Sequence, residues 1–149
     1  MQTIGKDERA RLQVLDRDEC LLLLKWEAVG RLAVSQDGGA PIVVPVNFVL
    51  VDGDRIHFRF DLGATALQAF SQPVSFQVDR FDWYRRIGWS VLVQGNAQLL
   101  TPEEDEALDV GPEPWAPGDR PLVVRIVPDQ ITGRRIELAQ SAVDGRGYL

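Results

Sequence analysis

Apolar residues recur at every second position through the middle of the chain, and each such run is cut by a turn signal. Between Gly30 and Phe60 the runs are separated by Asp37-Gly38-Gly39 and by Asp52-Gly53. Asp-Gly between strand-like runs marks a hairpin, because Gly takes the positive φ that a tight turn demands. The pattern predicts strands over Val29–Ser35, Ile42–Val51 and Arg55–Phe60. In the second, Ile42, Val44, Val46, Phe48 and Leu50 share one face. The other face is apolar too except for Asn47, so burial on both sides is expected. Pro45 lacks a ladder donor and predicts a bulge or an unpaired position. In the third, Ile56, Phe58 and Phe60 oppose Arg55, His57 and Arg59.

Alternation resumes over Val74–Asp79, Trp89–Leu99 (interrupted by Gly95-Asn96) and Leu122–Val127, with Ile131–Leu138 as a last strand or turn. Helices fill only short gaps. Asp16 with Glu19 makes a capping box for a helix reaching about Glu27, and Thr101-Pro102-Glu103-Glu104 opens another. A third short helix is expected over Thr65–Ser71. Phe81–Gly88 reads as an aromatic and basic loop, and 112–121 as a Pro- and Gly-rich loop around Trp115. Residues 1–14 are expected to be a flexible N-terminal arm, and residues 15–149 a single domain. Six or so short strands with short flanking helices make a mainly β chain, closed or nearly closed as an antiparallel barrel.

Composition narrows the function. A net charge of −6 over 149 residues argues against a non-specific nucleic-acid binder, which needs a basic face to displace counterions. Cys20 is the single cysteine, which excludes an intramolecular disulfide and a cysteine metal cage; a reducing, cytoplasmic setting is the expectation. The polar stretch Met1–Leu12 lacks the apolar centre of a secretory signal, and Leu21–Leu24 is too short to span a bilayer, so no membrane partner is expected.

Candidate chemistry concentrates after the third strand. Arg59 at a strand end, then Gly63, then Thr65 at a helix start could hold a phosphate: the glycine lets backbone approach, and the helix start offers free N–H groups. His57 is the only histidine; no triad or zinc set can be built around it by spacing, and a place facing a pocket or solvent is expected. The acidic run from Glu103 to Asp109 reads as a solvated helix face. Trp115, in a loop, is expected to find burial against a partner subunit.

Seven segments in order carry a resemblance: G-R-L-A-V (30–34), P-V-N-F (45–48), F-R-x-x-x-G (58–63), G-W-S-V-L-V-x-G (88–95), P-W-A-P-G-D-R (114–120), V-R-I (124–126) and I-T-G-R-R-I (131–136). Together they resemble the pyridoxamine 5′-phosphate oxidase-like flavin-binding split barrels, in their small actinobacterial-type branch, over about residues 15 to 136. The resemblance implies a six-stranded split β-barrel that forms a homodimer with FMN at the subunit interface, and a flavin-dependent oxidoreductase acting on a small-molecule substrate or electron acceptor. Arg59 would hold the phosphate with Gly63 and Thr65, Val46 and Asn47 would lie along the flavin ring, and Trp89 and Ser90 would line the same cleft. Trp115 and Arg134 would reach over from the partner. The alternatives are a non-catalytic carrier of FMN, haem or the deazaflavin F420, or a cofactor-free dimeric barrel.

One departure stands out. The family's phosphate pattern usually has a Lys two residues after the glycine, where this chain has Thr65; Phe60 also replaces a small hydroxyl residue. Arg85 or Arg86 is the expected source of a compensating charge.

Overall fold

The computed structural model describes residues 10–60, 70, 72–107 and 122–138. Seven strands and two short helices occur among them: β1 (Ala10–Leu15), α1 (Arg17–Leu24), β2 (Val29–Val34), β3 (Ile42–Val51), β4 (Arg55–Phe60), β5 (Val74–Asp82), β6 (Ile87–Leu99), α2 (Pro102–Glu106) and β7 (Leu122–Leu138). All pairings are antiparallel, in the order β1-β7-β4-β3-β2-β5-β6. A second pairing of β7 with β6 closes β2 to β7 into a six-stranded barrel, with β1 added outside the ring. The mainly β, six-stranded barrel expected from the sequence is the observed fold.

β7 holds this closure together. One edge runs along β6 from Gly88↔Ile136 to Leu99↔Val124. The other is shared: β4 takes the first half, from Phe60↔Leu122 to Ile56↔Ile126, and β1 takes the second, from Leu15↔Gly133 to Ala10↔Leu138. The segments expected as a strand over Leu122–Val127 and a last strand or turn over Ile131–Leu138 are one continuous strand. The chain absorbs Pro128 with a register shift at Gln94/Gly95. A Cβ at 95 would stand 2.1 Å from the Val127 carbonyl oxygen, so only glycine lets the two backbones approach this closely.

The arm expected to run to residue 14 is a strand from Ala10 onward. Leu12 and Val14 point outward and stay exposed, while Leu15 turns in and is buried. The pairing partner lies more than 110 residues away on β7, which no local pattern announces.

The core is the inward half of each strand. Leu32, Ile56, Phe58, Phe76, Val78, Val91, Val93 and Ile126 are buried. Phe76 stacks on Phe58 at 6.4 Å and meets Phe48 edge-on at 5.0 Å, pairs worth about 0.5–1.5 kcal/mol beyond their buried area. α1 starts at the expected capping box, Glu19 N–H to Asp16 Oδ1 at 2.8 Å, and buries Cys20 and Leu24 against the barrel. The two-sided burial expected for β3 holds only on the Val46–Phe48 face; Val43 on the opposite face is 59% exposed in the single chain. Pro45 makes no bulge. It pairs in regular register with Arg31, and β3 meets β4 only from Phe48 onward, so at Pro45 the strand is paired with β2 alone.

The expected helix over Thr65–Ser71 and the loop around Trp115 lie outside the described residues. No helix among the described residues is long and apolar enough to cross a membrane.

Candidate functional site

The ladder between β3 and β4 runs from Val51↔Arg55 to Phe48↔Phe58 and stops there. Asn47 and Arg59 are the first residues beyond the parting, both on the outer face of the barrel. Val46, one step back, points inward and is 8% exposed, so its side chain belongs to the core and only its backbone edge lies at the parting. Asn47 is half-buried and donates from Nδ2 to the Ala28 carbonyl at 3.5 Å, beside the stronger bond from the Phe48 N–H to the same oxygen.

Arg59 is the main cation here. Its side chain is only 9% exposed. Its guanidinium grips the Asp105 carboxylate with both ends, Nη1 to Oδ2 at 3.1 Å and Nη2 to Oδ1 at 3.0 Å. Asp105 is delivered by α2, whose start is set by the expected capping box. The Glu104 N–H donates to Thr101 Oγ1 at 3.2 Å, and the Thr101 N–H donates to Glu104 Oε1 at 3.1 Å. The Leu100 N–H to the Val123 carbonyl, 2.9 Å, ties the approach to α2 onto β7. The Glu104 carboxyl sits below its ordinary value, chiefly through the Thr101 backbone bond, then the Thr101 hydroxyl, with Arg125 adding at 3.8 Å. Glu103, Glu104 and Glu106 are exposed, the solvated face that was expected, although Glu104 also approaches Arg125 of β7; Asp105 departs from it, half-buried against Arg59 of β4, and Asp109 lies outside the described residues.

His57 differs from expectation as well. It shares the outer face with Arg59 yet is fully buried, with Arg125 Nε donating to its Nε2 at 3.0 Å. The outer face of β4 is covered, so period-two alternation placed the residue on the right face but not in solvent.

A second polar group spans the outer face of β2, β5 and β6. Arg31 Nη1 donates to Gln77 Oε1 and Asp79 Oδ2, both at 3.3 Å; Gln77 Nε2 donates to Asp79 Oδ2 at 2.7 Å and to Ser90 Oγ at 3.2 Å. Arg134 stands directly across the β6–β7 ladder from Ser90. Ser90 and Arg134 are thus brought together. Trp89 is not with them: adjacent strand residues point to opposite faces, and Trp89 packs against the core and lines a cavity of about 440 Å³ with Arg80, Asp82, Ile87, Arg135 and Glu137. Their side chains therefore face opposite sides of the sheet, so a cleft shared with Ser90 would meet the backbone of Trp89 rather than its ring. Gly63, Thr65 and Trp115 lie outside the described residues.

Arg85 and Arg86 sit at the tip of the β5–β6 hairpin, where Asp82 Oδ1 accepts from the Tyr84 and Arg85 N–H groups at 3.0 Å. That hairpin ends beside Ile136, while Arg59 lies opposite Val123. Thirteen residue steps of β7 lie between those two positions, at most roughly 43 Å along the strand. Among the described residues Arg85 pairs with Asp82 at 3.8 Å, and the hairpin tip and Arg59 adjoin opposite ends of β7.

Among the described residues no cluster of His, Cys, Asp and Glu could hold a metal ion. What the geometry does supply is a fixed, buried guanidinium that presents two donors to an anion, at the point where two barrel strands part.

Comparison with known proteins places this architecture. The fold is that of the flavin-associated split barrels. The family model for pyridoxamine 5′-phosphate oxidase matches residues 16–135, and the chain belongs to that family. An uncharacterized protein of Mycobacterium tuberculosis is 32% identical over 128 residues, which cover 82% of this chain and 84% of the relative. A conserved protein of unknown function from Corynebacterium diphtheriae superposes with a TM-score of 0.69 at 36% identity, covering 83% of this chain and 96% of the other. The FAD binding protein of Mycobacterium smegmatis superposes with a TM-score of 0.64 at 31% identity, covering 84% and 98%.

Proposed function

We propose that the chain binds a phosphate-bearing flavin, FMN in the first instance, between two copies of itself, and acts as a flavin-dependent oxidoreductase on a small molecule. The observation that carries this is Arg59. A side chain 9% exposed that already holds a two-oxygen anion with both Nη atoms has the fork that phosphate recognition needs. Asn47 stands on β3 at the same parting, and the resemblance sets Val46 and Asn47 along the flavin ring. Ser90 offers a hydroxyl on the outer face. In the proposed dimer, Arg134 and Trp115 serve the partner's site. The flavin would supply hydride and electron transfer when bound; the protein's part is to bind, orient and tune it. A similar solved protein that binds FAD, at 31% identity, supports a flavin over haem. So does the sole histidine, whose Nε2 is taken by Arg125 inside the fold.

Incubating the purified protein with FMN, FAD or riboflavin, then desalting and recording the absorption spectrum, tests the reading. Retention of FMN or FAD above riboflavin, lost in Arg59→Ala, is expected. Release of every flavin by wild type overturns it and directs attention to haem and F420. Bleaching of the bound flavin by a reductant, reversed by oxygen or by a quinone or nitro acceptor, tests turnover.

A further inference from the structure

Asp105 occupies the two donors that the flavin phosphate would use, and we infer that it sets the affinity of the site: anion binding at Arg59 proceeds by displacement of the α2 carboxylate. The inference rests on the assignment of Arg59 to the phosphate. A carboxylate and a phosphate present the same pair of oxygens to a guanidinium fork. With Asp105 bonded to Nη1 and Nη2 at 3.1 and 3.0 Å, that fork is filled.

The two partners are not equally held. Arg59 lies within a strand of the barrel, its side chain 9% exposed; Asp105 is 28% exposed on a helix of five residues. The capping bonds of that helix belong to Thr101 and Glu104, and Glu104 answers to Arg125 rather than to Arg59. Asp105 can therefore leave without breaking the cap, and Arg59 exchanges one anion for another instead of being stranded without a partner, the outcome that is costly for a buried cation. A phosphate dianion beside an undisplaced Asp105 would meet like charge, so the carboxylate moves toward solvent. The resemblance adds a departure of the same sign, since Thr65 stands in the sequence where it implies a second cation.

Titrating FMN and riboflavin into wild type, Asp105→Asn, Asp105→Ala and Arg59→Ala tests this. Removing the competing charge is expected to tighten FMN on the order of tenfold, with riboflavin, which has no phosphate, unchanged. Inorganic phosphate at matched ionic strength should raise the melting temperature of Asp105→Asn more than that of wild type. A measurement without substitution runs beside it: FMN should speed amide exchange over residues 102–107 of wild type, and riboflavin should not. FMN affinity that is unchanged or weaker in both Asp105 variants, or protection of 102–107 by FMN, overturns the inference while leaving the phosphate assignment standing. An Arg59→Ala protein with the wild-type preference for FMN over riboflavin overturns the assignment itself.

Discussion

Arg125 donates its Nε–H to Nε2 of His57 at 3.0 Å, across a register pair of β7 and β4. The bond fixes the tautomer. Nε2 accepts, so the neutral ring carries its proton on Nδ1, which is buried without a partner among the described residues. A second proton is opposed by burial first and by the Arg125 charge second, and His57 is lowered from 6.5 to about 4, Asp52 acting weakly the other way.

That shift predicts a pH dependence of stability. The folded value lies below the unfolded one, so between pH 6.5 and about 4 the unfolded chain binds a proton that the folded chain does not. The contribution of neutral His57 is fully present above pH 6.5 and is lost as pH falls, by about 2 kcal/mol at pH 5. Urea midpoints at pH 7.5 and 5 should therefore differ by more in wild type than in His57→Gln, whose amide does not titrate in this range. Equal pH dependence in the two proteins would show that another group carries the effect.

How far the sequence reveals this site depends on which contacts are local. The Asp52-Gly53 turn set the ends of β3 and β4, and both turn residues do adopt positive φ, 53° and 85°. The capping box at Thr101 was legible because its four residues are consecutive. Its consequence was not: Asp105 and Arg59 are 46 positions apart, and nothing in the alternation of β4 says that a helix after β6 returns to cover its outer face. The same gap explains β1, a short strand that among the described residues pairs only with the second half of β7. Trp89 and Ser90 are the opposite case, since period two alone sets adjacent residues on opposite faces; the resemblance to flavin proteins grouped them where the pattern divides them.

This division predicts separable effects. Ser90 Oγ, bonded to Gln77 on the outer face, should affect the flavin: Ser90→Ala is expected to shift the absorption of bound FMN or weaken it severalfold with little change in melting. Trp89 packs against the core, so Trp89→Phe should lower stability by about 1–2 kcal/mol with flavin affinity retained. Titration and melting of both variants check the pair. The reverse assignment would put the flavin on the Trp89 side of the sheet.

Gly133 and Cys20 predict a coupling. A Cβ at 133 would come within 2.5 Å of Cys20 Sγ and 3.2 Å of the Ser90 carbonyl. Gly133→Ala should cost about 1–3 kcal/mol, and part of that cost should disappear in a Cys20→Ala background, so that the double variant loses less than the sum of the two single losses. Cys20 itself is fully buried, and its thiol is pushed up by desolvation, then by Asp16 and Glu19. It should resist alkylation in the native protein and react at the rate at which α1 lifts from β7, faster in Gly133→Ala.

The β5–β6 tip bears on the missing lysine. Trp83 and Tyr84 are 88% and 100% exposed, and Arg86 holds a positive φ of 55° between them and β6. The sequence offers Arg85 or Arg86 as a replacement for the charge absent at Thr65, but the tip adjoins Ile136 and Arg59 adjoins Val123, at opposite ends of β7. An Arg85→Ala/Arg86→Ala protein should therefore keep the wild-type ratio of FMN to riboflavin affinity. If the ratio falls instead, the arginines must act on the other copy in a dimer. Mixing would then separate the chains. Neither an Arg59→Ala protein nor the double variant would hold FMN strongly alone, but a heterodimer would contain one site with both its own Arg59 and an intact tip from its partner. Recovery of binding on mixing would place the tip at the partner's phosphate, and its absence would mean that Thr65 is left without a compensating cation.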